Sequence, residues 1–323
     1  MAYNVTGLAA YTKQNVDQLV KNSTFEARTQ REILNLGNVY TGVKSSQSVN
    51  RMDTDVFFQD DSNCGFNASG TTTFTQRTLT VGKVKVNEIL CDKDLEPYYT
   101  QQALKAGGQY DSLTFAADFS EQKAAKIAEA IEIALWQAST AGGAGSNGLL
   151  NKFDGIQRLI SVAGGSVVNA NTTGFYGTPA TGITSTTIAK NAINAVIKAL
   201  PAKIKGKQDV RIFCGWDVFG YLIQAYVDAN LFHFQPDAKI DDNNAAFTVP
   251  GTPYQVIPVH GLDGLDDIYA FRMSNIFLGT DLLDEENKFW IRWSEDDENI
   301  KFTARMKVGV QFAFMDEIVK FEA

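Results

Sequence analysis

The sequence is poor in the residues that most often carry metal and thiol chemistry. Its 323 residues include three cysteines and two histidines. The cysteines, Cys64, Cys91 and Cys214, lie far apart and form no CxxC pair. This spacing argues against a disulfide framework and favours reduced thiols in a cytosolic compartment. Neither His233 nor His260 has a neighbour at metal-ligand spacing, so the sequence contains no zinc-binding pattern.

Positive charge and long apolar runs are also scarce. Lys and Arg number 29 against 37 Asp and Glu, which gives a formal net charge of -8. Phosphate neutralisation needs clustered cations, so this balance disfavours a broad nucleic-acid-binding surface. No apolar run approaches the roughly 20 residues that a membrane helix requires, and the N-terminus lacks the pattern of a signal peptide. We therefore expect no membrane association.

Motifs that would indicate an enzyme occur only in incomplete form. A literal GxGxxG spans residues 143–148, but it follows a predicted helix, whereas a dinucleotide site needs it between a strand and a helix N-terminus. Ser146 lacks the first glycine and the preceding strand of a nucleophile elbow. The acidic clusters at 281–286 and 295–298 lack the spaced oxygen ligands and central glycine of a calcium loop. We expect a non-enzymatic protein without a cofactor or metal.

The sequence does contain a long and mostly polar hairpin. Two β-patterned runs, Ser48–Gln59 and Thr71–Leu90, flank a tip of turn-forming residues, Asp60–Gly70. The few apolar residues of the hairpin form no core, and a lone two-stranded ribbon is marginal in water. We therefore expect a neighbouring subunit to cover it. The residues predicted to form this contact are Arg51, Asp55, Asp60, Phe66, Arg77, Lys83 and Lys85.

The second run of the hairpin changes its apolar face partway along. Leu79 and Val81 occupy odd positions, whereas Val84 and Val86 occupy even ones. Because successive side chains in a strand point to opposite faces, this switch predicts a bulge or bend at Gly82 and Lys83.

The most regular helical pattern begins at Asp118 or Ser120 and continues to about Gln137. Apolar residues recur there at the i, i+3, i+4, i+7 spacing of an amphipathic helix. Ser120 is the expected N-cap. At about 1.5 Å per residue, such a helix is on the order of 30 Å long.

Strand and helix patterns alternate further along the chain. A helix is predicted from Ser185 or Thr186 to Leu200, where Pro201 stops it, and DVRIFCG and YQVIPV read as strands around the helix WDVFGYLIQAYVDAN. This alternation predicts a compact mixed unit from about Ile183 to Asp263.

The C-terminal part is dominated by one long strand. From Ile300 to Phe314 the even positions are apolar and the odd positions are mostly polar, so the pattern predicts a buried Val308 and an exposed Lys307. At about 3.3 Å per residue this strand is roughly 50 Å long. Its predicted partner is Lys288–Trp293. Residues 1–42 show short helical patterns and no self-sufficient apolar face, which indicates an arm.

The order of these parts resembles that of tailed-bacteriophage major capsid proteins, whose fold encapsulin shells share. The resemblance is carried by FTQRTLTVGKVKVNEILCDKDLEPYY, by IEIALWQAS before GLLNKFDGIQRLI, and by ARMKVGVQFAFMDEIVKF. It implies an α+β fold with five parts: an N-terminal arm (1–42), an extended E-loop hairpin (43–96), a P-domain with a long spine helix (97–182), an inserted α/β A-domain (183–264) and returning P-domain strands (265–323).

The same resemblance implies a virion protein that forms the hexamers and pentamers of an icosahedral shell around double-stranded DNA, without sequence-specific binding. It implies assembly in the host bacterial cytoplasm, with portal and decoration proteins as candidate partners. Some family members carry an N-terminal scaffolding region, and the short segment before the hairpin leads us to expect a separate scaffolding protein. An encapsulin-type nanocompartment shell remains an alternative. From other classes, an intracellular enzyme or a carbohydrate-binding β protein remains open.

Overall fold

A computed structural model of the protein describes residues 28–60, 65–66, 68–91, 112–141, 151–173, 182–229, 245–281, 289–294 and 299–322. The described α-helices are α1 (Arg28–Leu36), α2 (Ser112–Gln137), α3 (Ile156–Ala163), α4 (Thr186–Ala199) and α5 (Trp216–Asp228). Most of the predicted arm, residues 1–27, lies outside the described residues.

The described strands form three sheets. In chain order they are β1 (Asn38–Thr41), β2 (Ser46–Thr54), β3 (Thr72–Thr80), β4 (Gly82–Cys91), β5 (Val168–Asn169), β6 (Val210–Cys214), β7 (Phe247–Thr248), β8 (Gln255–Pro258), β9 (Ile268–Arg272), β10 (Ile276–Thr280), β11 (Phe289–Ser294), β12 (Asn299–Phe312) and β13 (Val319–Phe321).

The long strand β12 organises the first sheet. β4 runs antiparallel along one edge of β12, while β11 and β10 lie end to end along the other edge. β1 adds to β10 in parallel. The predicted C-terminal strand and its predicted partner are therefore confirmed. At about 3.3 Å per residue, the 14 residues of β12 span on the order of 46 Å.

The second sheet has six strands in the order β5-β13-β9-β6-β8-β7. The predicted strands in DVRIFCG and YQVIPV are β6 and β8, and they pair in parallel. Helix α4 begins as expected, with the Ser185 hydroxyl accepting a hydrogen bond from the backbone N–H of Ile188. Three strands of this sheet, β5, β9 and β13, come from outside the segment 183–264.

One tryptophan links the two halves of the molecule. Trp136 of α2 is fully buried, and its indole packs against Phe213, Tyr269 and Phe271 of the second sheet. Its Nε1 donates a 2.8 Å hydrogen bond to the hydroxyl of Thr29 in α1. The long helix is therefore held against the α/β half by an aromatic cluster.

A buried carboxylate fastens α1 to the long helix. Glu132 of α2 accepts a 3.1 Å hydrogen bond from the backbone N–H of Thr29 and a second one from the Thr29 hydroxyl. Burial raises the pKa of the Glu132 carboxyl above its ordinary value, and the Thr29 hydrogen bonds oppose that rise. The described part of the predicted arm thus packs on the body of its own chain from Arg28 onward.

The long helix is longer than its sequence pattern predicted. Helix α2 begins at Ser112 and has 26 residues, so Ser120 lies inside it and is not its N-cap. The expectation was wrong because the start was placed at a capping residue, although SLTFAAD before it contains no helix breaker.

The predicted exposure of Lys307 is wrong. Its side chain is buried, with 4% relative exposure, whereas Val308 is buried as expected. Lys307 Nζ lies 2.6 Å from the Asp281 carboxylate, which is also buried. The alternation of buried and exposed side chains fails at position 307 because both faces of β12 are covered there. The odd-numbered side chain therefore contacts protein and not solvent. An ion pair replaces the lost hydration.

We expect most of the contribution of Lys307 to stability to depend on Asp281. Lys307→Met should lower the free energy of unfolding by about 3 to 5 kcal/mol, because it leaves a buried carboxylate without its cation. The double change Lys307→Met and Asp281→Leu should restore most of that loss. Urea unfolding of purified subunits measures both values.

The matched control for this experiment is Lys205→Met, the same substitution at an exposed lysine. It should change the free energy of unfolding by no more than about 0.5 kcal/mol. An equal effect of Lys307→Met and Lys205→Met would show that the buried ion pair does not form in solution.

Candidate subunit-contact surface

The polar hairpin is a separate two-stranded sheet. β2 and β3 pair antiparallel from Ser46 opposite Thr80 to Thr54 opposite Thr72. The ladder ends earlier than the predicted Gln59, because Gly70 has a φ of +97° and turns the chain out of the strand conformation beside Asp55. Residues 55–60 continue beyond the ladder without strand pairing.

The predicted bend is the place where the chain changes sheets. β3 ends at Thr80, Val81 is not in a strand, and β4 begins at Gly82 in the five-stranded sheet. Leu79, Val81 and Val84 are all buried, as the switch of apolar face required. The bend prediction is confirmed, and it corresponds to the root of the hairpin.

Two glycines make room for this root. Gly279 of β10 lies directly opposite Gly309 of β12. A Cβ atom on Gly309 would lie 2.2 Å from the carbonyl oxygen of Thr80, and one on Gly279 would lie 2.8 Å from a methyl group of Leu79. Only residues without a Cβ allow the hairpin root to cross the sheet at this distance.

A small apolar cluster and an arginine fix the direction of the hairpin. Val49, Leu79 and Ala313 bury one another at the root. The Arg51 guanidinium lies 4.6 Å from the ring centre of Phe314 and 3.7 Å from the Asp316 carboxylate. These are contacts within one chain, between the hairpin and the turn that follows β12. They hold the root of the ribbon against the body of the same chain.

Apolar side chains beyond the root are left exposed. Met52, Phe74 and the run Val56–Phe58 have large exposed fractions, and Phe66 near the tip is 97% exposed. A soluble monomer seldom presents apolar groups so close together unless they form an interaction site. The sequence could have shown this run, since the adjacent Phe57 and Phe58 cannot both face one side of a strand.

The structure separates the predicted contact residues into three groups. Arg51 lies at the root against its own C-terminal turn. Burial and, to a smaller extent, the nearby charge of Arg51 lower the pKa of Arg77. Asp55, Asp60 and Phe66 lie exposed at the far end of the hairpin. Lys83 and Lys85 are exposed on β4, which belongs to the body and not to the projecting ribbon.

Groups with the potential for chemistry do not converge in the described part of the chain. Cys214 is buried, which raises the pKa of its thiol, while Cys64, Cys91 and His233 have no described side chains. His260 Nδ1 lies 2.6 Å from an Asp263 carboxylate oxygen, in a contact between neighbouring turns.

The described ranges offer neither a metal-binding cluster nor a membrane-spanning helix. The residues that the structure describes contain no cluster of three or more His, Cys, Asp or Glu side chains that could hold a metal ion. No helix among the described ranges is long and apolar enough to cross a membrane. The GxGxxG segment 143–148 lies outside the described residues.

Comparison with known proteins finds likeness in structure alone. No protein-family model and no curated protein matches the sequence. A chain of the satellite phage P4 procapsid that includes size determination (Sid) protein matches with a TM-score of 0.57 and 8% identity, covering 96% of this chain and 90% of that chain. The capsid of a native GTA particle matches with a TM-score of 0.55 and 15% identity, covering 90% and 89%.

A virus-like particle from Pyrococcus furiosus also matches, with a TM-score of 0.50 and 11% identity, covering 97% of this chain and 99% of that chain. The chain therefore has the mixed helix and strand fold of these capsid proteins, over almost its whole length. Identities this low show the fold and not a shared activity.

We expect Gly309→Ala to loosen the hairpin root, because the new Cβ would collide with the Thr80 carbonyl. The change should lower the free energy of unfolding by about 1 to 3 kcal/mol, the usual cost of overpacking. It should also speed amide hydrogen exchange in β2 and β3. The control is Gly165→Ala, where nothing lies within 4 Å of the new Cβ. Equal exchange rates in both variants would contradict the crossing.

Proposed function

We propose that this chain is a major capsid protein that self-assembles into the hexamers and pentamers of an icosahedral shell enclosing double-stranded phage DNA. The observation that carries this proposal is structural likeness to capsid chains over about nine tenths of both partners. The exposed hairpin supports it independently, because its apolar side chains require a covering partner. The role is structural, and no catalytic step is assigned to it.

The parts of the fold are assigned by their order in the chain. Helix α2 is the spine helix of a P-domain over 97–182, the β2–β3 hairpin is the E-loop within 43–96, and 183–264 is the A-domain. The strands within 265–323 return to the P-domain, although β9 and β13 also complete the A-domain sheet. Residues 1–42 are the N-terminal arm.

Association proceeds through many contacts of modest strength. The hairpin of one subunit lies over the spine helix and P-domain of its neighbour, the arm adds a further overlap, and the A-domains meet around the local symmetry axis. Each interface needs no more than the usual area of about 1,200 to 2,000 Å². In a closed shell each subunit makes several such contacts at once, so the subunits are held more tightly than any single weak interface would hold them.

The predicted contact residues take different roles in this arrangement. Asp55, Asp60 and Phe66 lie where a projecting ribbon would first meet another subunit, and Lys83 and Lys85 lie on the surface that would receive one. Arg51 and Arg77 orient the hairpin through Asp316 of the same chain and act on the contact indirectly.

Assembly would take place in the host bacterial cytoplasm and end in the virion. A separate scaffolding protein, a portal and decoration proteins are the partners proposed for it. The DNA is enclosed without sequence-specific binding, in keeping with a chain whose net charge is -8. A wall with this charge does not hold genome phosphates tightly.

We expect the hairpin tip to be needed for assembly and not for folding. Replacing Asp60–Gly70 by a two-residue turn should leave the circular dichroism spectrum of the subunit unchanged, because the ladder from Ser46 to Thr80 is retained. Electron microscopy should then show no closed shells, whereas the parent chain forms them. Normal shells from the shortened chain would count against the overlap.

The contents of the particles distinguish the proposed function from a related one. Genomic DNA in particles purified from infected cells supports a phage capsid, whereas a single enclosed enzyme would support an encapsulin-type nanocompartment. A stable monomer at high protein concentration would contradict both functions.

A further inference from the structure

Three cations surround one carboxylate where the hairpin root meets the body. Asp316 belongs to the turn that follows β12. Its Oδ1 lies 3.7 Å from the Arg51 guanidinium, and its Oδ2 lies 3.8 Å from Lys203 Nζ. Arg77 is the third cation, and the charges of both Arg51 and Asp316 act on its pKa. We name these four residues the Asp316 cluster.

The cluster joins three segments of the chain. Arg77 lies directly opposite Val49 in the hairpin, and opposite residues share one face of a ribbon. Val49 packs with Ala313, so this face meets the turn after β12. Arg51 lies on the same face, two residues beyond Val49. Lys203 lies in the turn that follows α4. A ligand held by the cluster therefore connects the hairpin to the α/β half.

The positive charge of the cluster is only partly neutralised. Arg51 already forms a 3.1 Å ion pair with Asp53. Arg77 is partly buried, and it forms no hydrogen bond or ion pair with another described residue. The ion pair of Lys203 among the described residues is the long contact to Asp316. Arg77 and Lys203 therefore retain hydrogen-bond donors and charge for an anion.

The carboxylate in the middle of the cluster lacks a hydrogen bond. Asp316 Oδ1 is buried and has no hydrogen-bond partner among the described residues. Both of its cation contacts are longer than the usual N···O hydrogen bond of about 2.7 to 3.2 Å. An ionised carboxylate only accepts hydrogen bonds. A ligand that completes the cluster must therefore carry negative charge for the cations and also offer a proton to Oδ1.

We infer that the Asp316 cluster binds a protonated phosphate, whose P–OH group donates to Asp316 Oδ1 while its other oxygens accept from Arg77 and Lys203. Inorganic phosphate meets both requirements at neutral pH, because it keeps an O–H group while it carries negative charge. Sulfate and the phosphodiesters of DNA carry no proton at that pH, so neither can donate to the carboxylate. The planar guanidinium of Arg77 suits the oxygens of a phosphate. This site goes beyond the proposed function, since it belongs to the single subunit.

Titration calorimetry of purified subunits at pH 7 tests the inference with three probes. They are inorganic phosphate, sulfate and a short oligodeoxynucleotide without a terminal phosphate. Phosphate should bind at least about tenfold more tightly than either of the others, because a site that needs a hydrogen-bond donor rejects a ligand without one. No detectable binding of phosphate overturns the inference, and so does equal binding of phosphate and sulfate.

Hydrogen exchange measures the effect of the bound ion on the hairpin. Because the ion ties Arg77 of β3 to Lys203 of the α/β half, saturating phosphate should slow amide exchange in β2 and β3. Sulfate at the same concentration should have a smaller effect. Exchange rates in the hairpin that are the same with bound phosphate and without it overturn the bridging position of the ion.

Asp316→Asn distinguishes a binding role of this residue from a merely structural one. The asparagine amide has the size of the carboxylate and can donate hydrogen bonds to sulfate. The preference for phosphate over sulfate should therefore fall from about tenfold to within about twofold. Circular dichroism checks that the variant is folded. A folded variant that keeps the preference of the parent overturns the inference.

Arg77→Gln tests the cationic side of the site and has a matched control. It should weaken phosphate binding about tenfold, because it removes a hydrogen bond from a charged group. The control is Arg158→Gln, the same substitution at a partly exposed arginine of α3. Its phosphate affinity should stay within about twofold of the parent. Equal phosphate affinities of the two variants overturn the inference, also where Asp316→Asn fails to fold.

Discussion

The architecture depends on the crossing of the hairpin root over Gly279 and Gly309. Two backbones approach there without side chains between them, and this contact decides where the chain leaves the body and in which direction. Burial of Lys307 follows from the same crossing, because the root covers the face of β12 that would otherwise meet water. Arg51 and Phe314 then fix the angle of the ribbon from the side.

The long helix and the α/β half pack against each other in one hydrophobic core. Trp136 joins them through three aromatic rings, and Glu132 ties α1 to the same helix. Burial of the Glu132 carboxyl carries a desolvation cost, which its raised pKa reflects, and the backbone hydrogen bond from Thr29 offsets part of that cost.

Local sequence patterns predicted the elements whose signals lie together in one stretch of the chain. Helix α4 carries its cap, its apolar stripe and its terminal proline in one stretch, and the sequences of β11 and β12 alternate between apolar and polar residues. The patterns failed where distant segments meet. Nothing near Lys307 in the sequence shows that Thr80 passes over its strand. Likewise, β5, β9 and β13 join the six-stranded sheet from outside the segment 183–264, so the extent of the α/β unit could not be read from one contiguous segment. The Asp316 cluster was missed for the same reason, since the hairpin, the turn after α4 and the turn after β12 supply its residues.

The open edges of the β2–β3 ribbon have a consequence for the newly made chain. Each edge offers unpaired backbone donors and acceptors to any extended polypeptide that approaches, and such edges are templates for aggregation. The threonines of β3 favour the strand conformation and add no charge that would protect its edge. When synthesis is faster than assembly, unassembled chains with open edges accumulate. The yield of soluble protein should therefore fall as the rate of synthesis rises.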